Sequence, residues 1–493
     1  MEIKIQIIKF GGTSVGSGER IRRVANIITH KVHDTGEDFP VVVVSAMSGV
    51  TDQLLRIARF AYTGEHHNCE TELNTLKQKH LEVAKNLFLK QEDRYSQLID
   101  DLKKVFSALQ QDITKLQLGT NEALTREISL RTAAVAAWGE RLSVLLVAAA
   151  VCNNGTDAVP IREEAIITEH PVNEIHQTPG TVTGAEPLTQ ETRINAQKLA
   201  HPFIERRIVP IMPGFIGRTT TGFITTLGRN GSDYSATVIG AALDCTEVSI
   251  YTDVDGVLSA DPRIVANARL LPRLSYTEAA RLSWFGAKVL HPRTLIPIAH
   301  LNIPVRVRNT FRPHSRGTLV GSERTQRSAA AAITVRHHLA LITVENTDMF
   351  GAPENAGQVF ALASRAGAAP VAICSSSGYH LSFMVEEQAA DSVLELLQHD
   401  MGSWRVICKR GLAACACIGS GFSADPMSSA RAITALARER IPVETQGASD
   451  SGIILIVEDQ DSERALRCLH RDLIAPVIPL VRHGTQEKRR EAR

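Results

Sequence analysis

The sequence has no marked surplus of either charge: 54 lysines and arginines stand against 53 aspartates and glutamates, a net +1. That excludes the strong global field that draws a protein onto nucleic acid or a membrane surface. Aromatic residues make up only 5%, too few for the stacking surfaces that hold unpaired bases. The eight cysteines are scattered, with no Cys-x-x-Cys pair and no secretory leader, which points to free thiols in the cytoplasm. Cys415 and Cys417 read more simply as two small side chains on one strand face than as metal ligands, so no protein-built metal site is expected. Long apolar runs are also missing. The longest, Leu142 to Cys152, is bounded by Arg141 and falls short of the roughly 20 residues that span a bilayer. A chain of 493 residues has length for about two to four domains, and we expect a soluble one.

Chemistry is concentrated at the start. Ile3 to Phe10 is an apolar, β-branched run with Lys9 near its carboxyl end, and Gly11, Gly12, Gly16 and Gly18 follow. Ile21, Val24, Ala25, Ile28 and Val32 then fall on one helix face. Strand, glycine turn and helix with a lysine at the strand's carboxyl end make a phosphate cradle. Glycines let backbone amides approach a polyanion, and the helix N-terminus adds positive character. An ordinary βα turn is the plain alternative. A P-loop does not fit, because Lys9 precedes its glycines and the next lysine is Lys31. The dinucleotide fingerprint fails as well, since Glu19-Arg20-Ile21 follows Gly18 where a third glycine is needed.

The strand Val41 to Val44, the small-residue loop Ser45 to Thr51 and a helix through Leu54 and Ala58 repeat the first unit, as a parallel α/β sheet requires. Ligands sit at the carboxyl ends of such strands, which places Lys9 and Ser45 on one rim. Residues 66–115 contain neither glycine nor proline and read as a helical excursion without evident chemistry. Glu140 then stands in an apolar helix among alanines and leucines. It either pairs with Arg141 or Arg131 or is aimed at an ammonium group. Val159 to Ile167 is expected to be a further βα segment, and Ile208 to Gly217 a strand and turn. A second dense stretch, Thr226 to Ser235, brings Gly228, Arg229, Gly231, Ser232 and Asp233 to the start of a small-residue helix. Ser232 and Asp233 are good helix caps. Capping does not explain Arg229, whose guanidinium suits a carboxylate clamp. After residue 333 a unit of roughly seventy residues recurs: Ala361-Leu362-Ala363 returns as Ala435-Leu436-Ala437, and Pro370-Val371 as Pro442-Val443. Gly419-Ser420-Gly421 imitates a dinucleotide site, but too little chain follows it for a doubly wound domain.

Lys9-Phe10-Gly11-Gly12-Thr13-Ser14, the Gly139-Glu140-x-x-Ser143 motif and the stretch Thr226 to Ser235 together resemble aspartate kinases of the amino acid kinase family. The Arg229 motif, Thr252 to Val257 and His291-Pro292-Arg293-Thr294 resemble the kinase part of bifunctional aspartokinase–homoserine dehydrogenases in particular, with the dehydrogenase part absent. The resemblance implies a three-layer α/β sandwich with a mainly parallel sheet over 1–320 and a linker over 321–332. Two ACT-like βαββαβ modules are implied over 333–410 and 411–480, and a basic tail over 481–493. A purely structural dimerisation role is the alternative for the repeat. The resemblance also implies ATP-dependent phosphorylation of the side-chain carboxylate of L-aspartate, with Mg2+ held mainly by ATP phosphates. No nucleic acid or membrane partner is implied. An amino-acid effector at the ACT pair and a homodimer or larger homo-oligomer are expected. Lys9, Phe10, Gly11 and Gly12 would hold the transferred phosphate, with Lys9, Arg229 and Asp233 as the catalytic set. Ser45, Thr51, Glu140, Arg229, Ser232 and Asp233 would hold aspartate. Thr252 and Asp253 would lie by the adenosine, Arg263 and Lys288 by the phosphates, with Leu258 and Val289 in the same nucleotide set. Trp138 stands where relatives carry histidine or arginine, and Leu258 where tyrosine is common. Glutamines at the second strand of each module go with threonine sensing in such relatives. Gln446 keeps one and Cys374 replaces the other. Another amino acid kinase would share Lys9 and its glycines, whereas a silent sensing scaffold need not keep Lys9, Glu140, Arg229 and Asp233 together.

Overall fold

The computed structural model describes residues 3–474, apart from 35–37, 89–91, 119–124, 170–183, 229, 288–289, 323–329, 346–352, 377–379, 403, 421 and 423–424. The basic tail and most of the expected linker therefore lie outside the described residues. The chain divides into two units, Met1–Leu258 with Arg269–Thr325, and Ser259–Ala268 with Gln326–Arg493.

In the first unit, the apolar runs become strands buried along their whole length: β1 (Ile5–Phe10) and β2 (Phe39–Val44). They are followed by β3 (Ala158–Pro160), β4 (Ile167–Thr168), β5 (Val209–Pro213), β6 (Ile216–Thr219), β7 (Ile224–Thr226), β8 (Glu247–Thr252), β9 (Arg273–Ser275), β10 (Val305–Asn309) and β11 (Thr318–Gly321). Eight of them form one sheet in the order β3-β5-β2-β1-β8-β10-β11-β9. Every described pairing in it is parallel except β10 with β11. Two-sided burial is what a parallel sheet between helical layers demands. The helices are α1 (Gly18–His33), α2 (Val50–Tyr62), α3 (His66–Leu87), α4 (Glu92–Leu118), α5 (Thr125–Ala136), α6 (Trp138–Asn153), α7 (Thr189–Ile204), α8 (Gly231–Ala242), α9 (Tyr276–Trp284) and α10 (Pro292–Ala299). Helix α8 packs on β1, where the Cα of Gly240 comes so close to Ile7 that a Cβ there would lie 3.4 Å from it. Side chains alternate along a strand, so α8 covers the face of β1 that also carries Lys9.

Two sequence expectations change. Val159 to Ile167 is not a βα segment: β3 joins the main sheet, and β4 pairs instead with β6 in a separate three-stranded sheet. The apolar stretch around Leu142 is also longer than uninterrupted runs suggest. Helices α5 and α6 join nearly end to end, and Glu127–Asn153 is long and apolar enough to cross a membrane by length and composition. Its apolar window is 78% buried inside the protein, as in a core helix.

The second unit begins with β12 (Ala332–Glu345), then α11 (Pro353–Arg365), β13 (Ala372–Ser376), β14 (His380–Glu386), α12 (Ala390–Asp400), β15 (Arg405–Ile418), α13 (Pro426–Arg438), β16 (Thr445–Ser449), β17 (Gly452–Glu458) and α14 (Ser462–Leu473). Its sheet runs β13-β14-β12-β15-β17-β16. The repeat is plain: strand, helix, hairpin and helix occur twice, each copy around its own apolar core. β12 and β15 are single long strands that pair along most of their length and serve both copies. The expected division at 410/411 falls inside β15. The segment Ser259–Ala268 contributes Ala260 and Val265 to the core of the second copy.

Candidate functional site

Lys9 sits near the carboxyl end of β1 between Val43 of β2 and Ile250 of β8 and is 7% exposed. Its Nζ lies 2.5 Å from Asp233 Oδ1, an ion pair that ties β1 to the first turn of α8. The glycines behind it have steric reasons. A Cβ on Gly12 would lie 2.8 Å from the carbonyl oxygen of Ala46, and one on Gly18 would lie 2.9 Å from Asn86. The loop is pinned from outside: Ser14 Oγ lies 2.7 Å from Thr310 Oγ1, and Arg20 Nη1 donates to the Thr13 carbonyl. Ser17 caps α1 through Arg20 N.

A cavity of about 730 Å3 opens beside this loop, lined by Lys9, Gly12, Ser45, Thr51, Glu140, Ser232 and Asp233. Ser45 follows β2 and Thr51 lies in the first turn of α2. Glu140 is in the first turn of α6 and 2% exposed. Its Oε1 accepts the amide N–H of Ala46 at 3.1 Å, while its buried Oε2 has no partner. Burial raises its pKa to about 8; the Ala46 hydrogen bond and the positive charge of Lys9 act the other way. Glu140 does not pair with Arg141, which bonds Glu164 instead. A buried carboxylate with one free oxygen calls for a cation.

The structure thus gathers Lys9, Gly12, Ser45, Thr51, Glu140, Ser232 and Asp233 around one space. Gly11 lies beside Lys9: a Cβ there would be 3.4 Å from the Lys9 Nζ. The Phe10 side chain instead turns into the core, fully buried and stacked on Tyr251 at 5.0 Å. Thr252 and Asp253 follow Tyr251 at the end of β8, which pairs with β1, so they share the sheet's carboxyl rim without lining the cavity. Leu258 bridges Leu270. Arg263 falls in the segment that belongs to the second unit, where it is exposed and bonded to its neighbour Asp261. Arg229, Lys288 and Val289 lie outside the described residues.

Sequence reasoning missed several parts. The Ala46 amide acts through its backbone, which composition cannot show. Phe215 and Asn230 line the cavity with left-handed backbones, φ 63° and 57°. Ser235 Oγ accepts the Phe215 amide at 2.8 Å and helps hold that conformation. A left-handed phenylalanine is costly. The nearby Pro213-Gly214 turn was its one visible trace.

A family model described as the amino acid kinase family matches residues 4–309, and one described as an ACT domain matches residues 416–473. Bifunctional aspartokinase/homoserine dehydrogenase 2 of Arabidopsis thaliana is 33% identical over 485 residues, covering 94% of this chain and 50% of that protein. The chain therefore spans about half the length of the bifunctional relatives it matches. Aspartokinase 1 of the same plant is 30% identical over 483 residues, 94% of this chain and 79% of that protein. Among solved structures, E. coli aspartokinase III in complex with aspartate and ADP superposes with a TM-score of 0.77 at 26% identity, over 96% of this chain and all of that one.

Proposed function

The chain belongs to the amino acid kinase family, and we propose that it is an aspartokinase, transferring the γ-phosphoryl group of ATP to the side-chain carboxylate of L-aspartate. The observation that carries this is Glu140: a buried carboxylate with a free Oε2, in the same cavity as Lys9 and the glycine loop. The free oxygen suits an amino acid's ammonium, and the loop suits a phosphate.

The acceptor carboxylate has a solution pKa near ~3.9 and is ionised at neutral pH. No general base is needed. The barrier is alignment of two anions against their repulsion, so positioned positive charge does most of the work. Lys9 leaves Asp233 to stabilise the phosphoryl group in flight, and the amide of Gly12 holds one of its oxygens; the Gly11 amide, expected to share that task, donates instead to the Tyr251 carbonyl at 3.2 Å. Bound ammonium supplies Glu140 with the countercharge that keeps it ionised. Ser45 and Thr51 hold the reacting carboxylate, Ser232 and Asp233 close the pocket, and Arg229 clamps the α-carboxylate. Thr252 and Asp253 meet the adenosine, and Lys288 serves the phosphates. Mg2+ would neutralise charge on ATP. Phosphate oxygens and water would be its main ligands.

The repeated C-terminal modules support regulation by an end-product amino acid; the same proposal takes the enzyme as homo-oligomeric and cytoplasmic, feeding lysine, threonine and methionine synthesis. The test is ADP release from ATP with aspartate, glutamate and other amino acids supplied singly, then with lysine, threonine or methionine added. Aspartate-dependent turnover is expected. Equal turnover with glutamate would sink the assignment.

A further inference from the structure

The helical excursion over α3 and α4 shows no chemistry in the sequence, yet one of its side chains reaches the residue two before Glu140. The indole Nε1 of Trp138 donates to Asp112 Oδ2 of α4 at 2.9 Å. Helix α6 begins at Trp138 and has no side-chain cap at its N-terminus. Its first turn follows α5 nearly end to end, and it carries a sideways contact at each of four consecutive residues. Trp138 is tied to Asp112. Gly139 lies so close to α2 and the loop before it that a Cβ would come within 2.8 Å of the Ala46 Cβ. Glu140 accepts the Ala46 amide. Arg141 stacks on the Trp138 ring, 4.4 Å from its centroid, and pairs with the nearly buried Glu164.

We propose that Asp112, acting through Trp138, is a positioning residue for the amino-acid subsite, fixing the first turn of α6 so that Glu140 Oε2 faces the substrate ammonium. This rests on the reading of Glu140 given above. Asp112 is itself steadied by Lys115, 3.0 Å from its Oδ1, which leaves Oδ2 to the indole. The arrangement answers the departure at position 138. An indole N–H supplies the polar link to the excursion, and its ring offers Arg141 a stacking face. Without this anchor the turn can shift, and misplacing a binding group by about 1 Å is enough to weaken its contact with the substrate markedly.

The test is steady-state kinetics on the full chain for wild type, Asp112→Leu, Asp112→Asn, Trp138→Phe and the double variant Asp112→Leu/Trp138→Phe. Asparagine keeps an acceptor for the indole, and phenylalanine keeps the ring without the donor. Asp112→Leu and Trp138→Phe should each raise KM for aspartate about fivefold, the size expected for one lost hydrogen bond. Turnover and KM for ATP should stay within twofold of wild type. The double variant should be no worse than either single one, and Asp112→Asn should restore the wild-type KM. The proposal is overturned if Asp112→Leu leaves KM for aspartate within twofold of wild type. It is also overturned if the two effects multiply, or if both substrates' KM values rise together with a lowered Tm. A wild-type chain without aspartate turnover would overturn the underlying reading and this proposal together, and the wild-type control separates that outcome from the others.

Discussion

Glu140 allows a prediction in which stability and function move in opposite directions. In the fold its pKa is about 8, against 4.5 for an unburied glutamate, with burial as the main cause. A carboxyl whose folded pKa is raised favours the folded state fully below pH 4.5, and that contribution is lost as pH rises through 8. The shift corresponds to an upper bound of about 4–5 kcal/mol at alkaline pH. Glu140→Gln removes this penalty but places an amide N–H where Oε2 had no partner, which costs about 1–3 kcal/mol. The variant should therefore gain roughly 1–4 kcal/mol over wild type at pH 8.5 and gain nothing at pH 5. Thermal or urea unfolding of the ligand-free protein at the two pH values reads this directly. In kinetics the same variant should raise KM for aspartate by at least about tenfold at pH 8.5, the loss of one buried charge-assisted contact. The wild-type kcat/KM for aspartate should climb with pH up to about 8, as Glu140 ionises, and that climb should vanish in the variant. An equal stability difference at both pH values would refute the burial argument. An unchanged KM for aspartate would refute the ammonium role.

Three further outcomes follow from the same structure. Lys9→Ala should lower kcat by about 100-fold or more with circular dichroism unchanged; near-normal turnover would remove Lys9 from the phosphoryl site. Gly12→Ala drives a Cβ to within 2.8 Å of the Ala46 carbonyl. It should cost about 1–3 kcal/mol of stability and weaken ATP binding, which a binding titration with a nucleotide analogue would measure. His80 is fully buried between α3 and α4 with its pKa lowered to about 4, chiefly by burial. A depressed histidine pKa stabilises the fold above pH 6.5 and loses that contribution as pH falls towards 4. His80→Leu should accordingly blunt acid unfolding over that window, and an unchanged acid midpoint would contradict it.

What the sequence made legible was polarity out of place. Lys9 at the end of an apolar strand and Glu140 in an alanine- and leucine-rich helix each stood out, and the structure puts both at one cavity. The repeat was visible because whole motifs recur. What stayed hidden depends on backbone geometry or on distant pairing. The Ala46 amide has no side-chain signature, and the left-handed Phe215 and Asn230 depend on tertiary contacts. That β12 and β15 each serve two modules follows from pairing between strands some seventy residues apart, which no local pattern records. Phe10 was carried into the nucleotide set by its place in a motif. The period of two sends its ring to the opposite face from Lys9, onto Tyr251.

The most direct test of the central claim is to trap the product. Purified protein would be incubated with ATP, Mg2+, L-aspartate and neutral hydroxylamine, which converts acyl phosphates to hydroxamates, and the product resolved by mass spectrometry and NMR. The account predicts aspartate 4-hydroxamate formed in step with ADP in wild type and lost in Lys9→Ala. ADP release without hydroxamate, or a hydroxamate on the α-carboxyl, would contradict it.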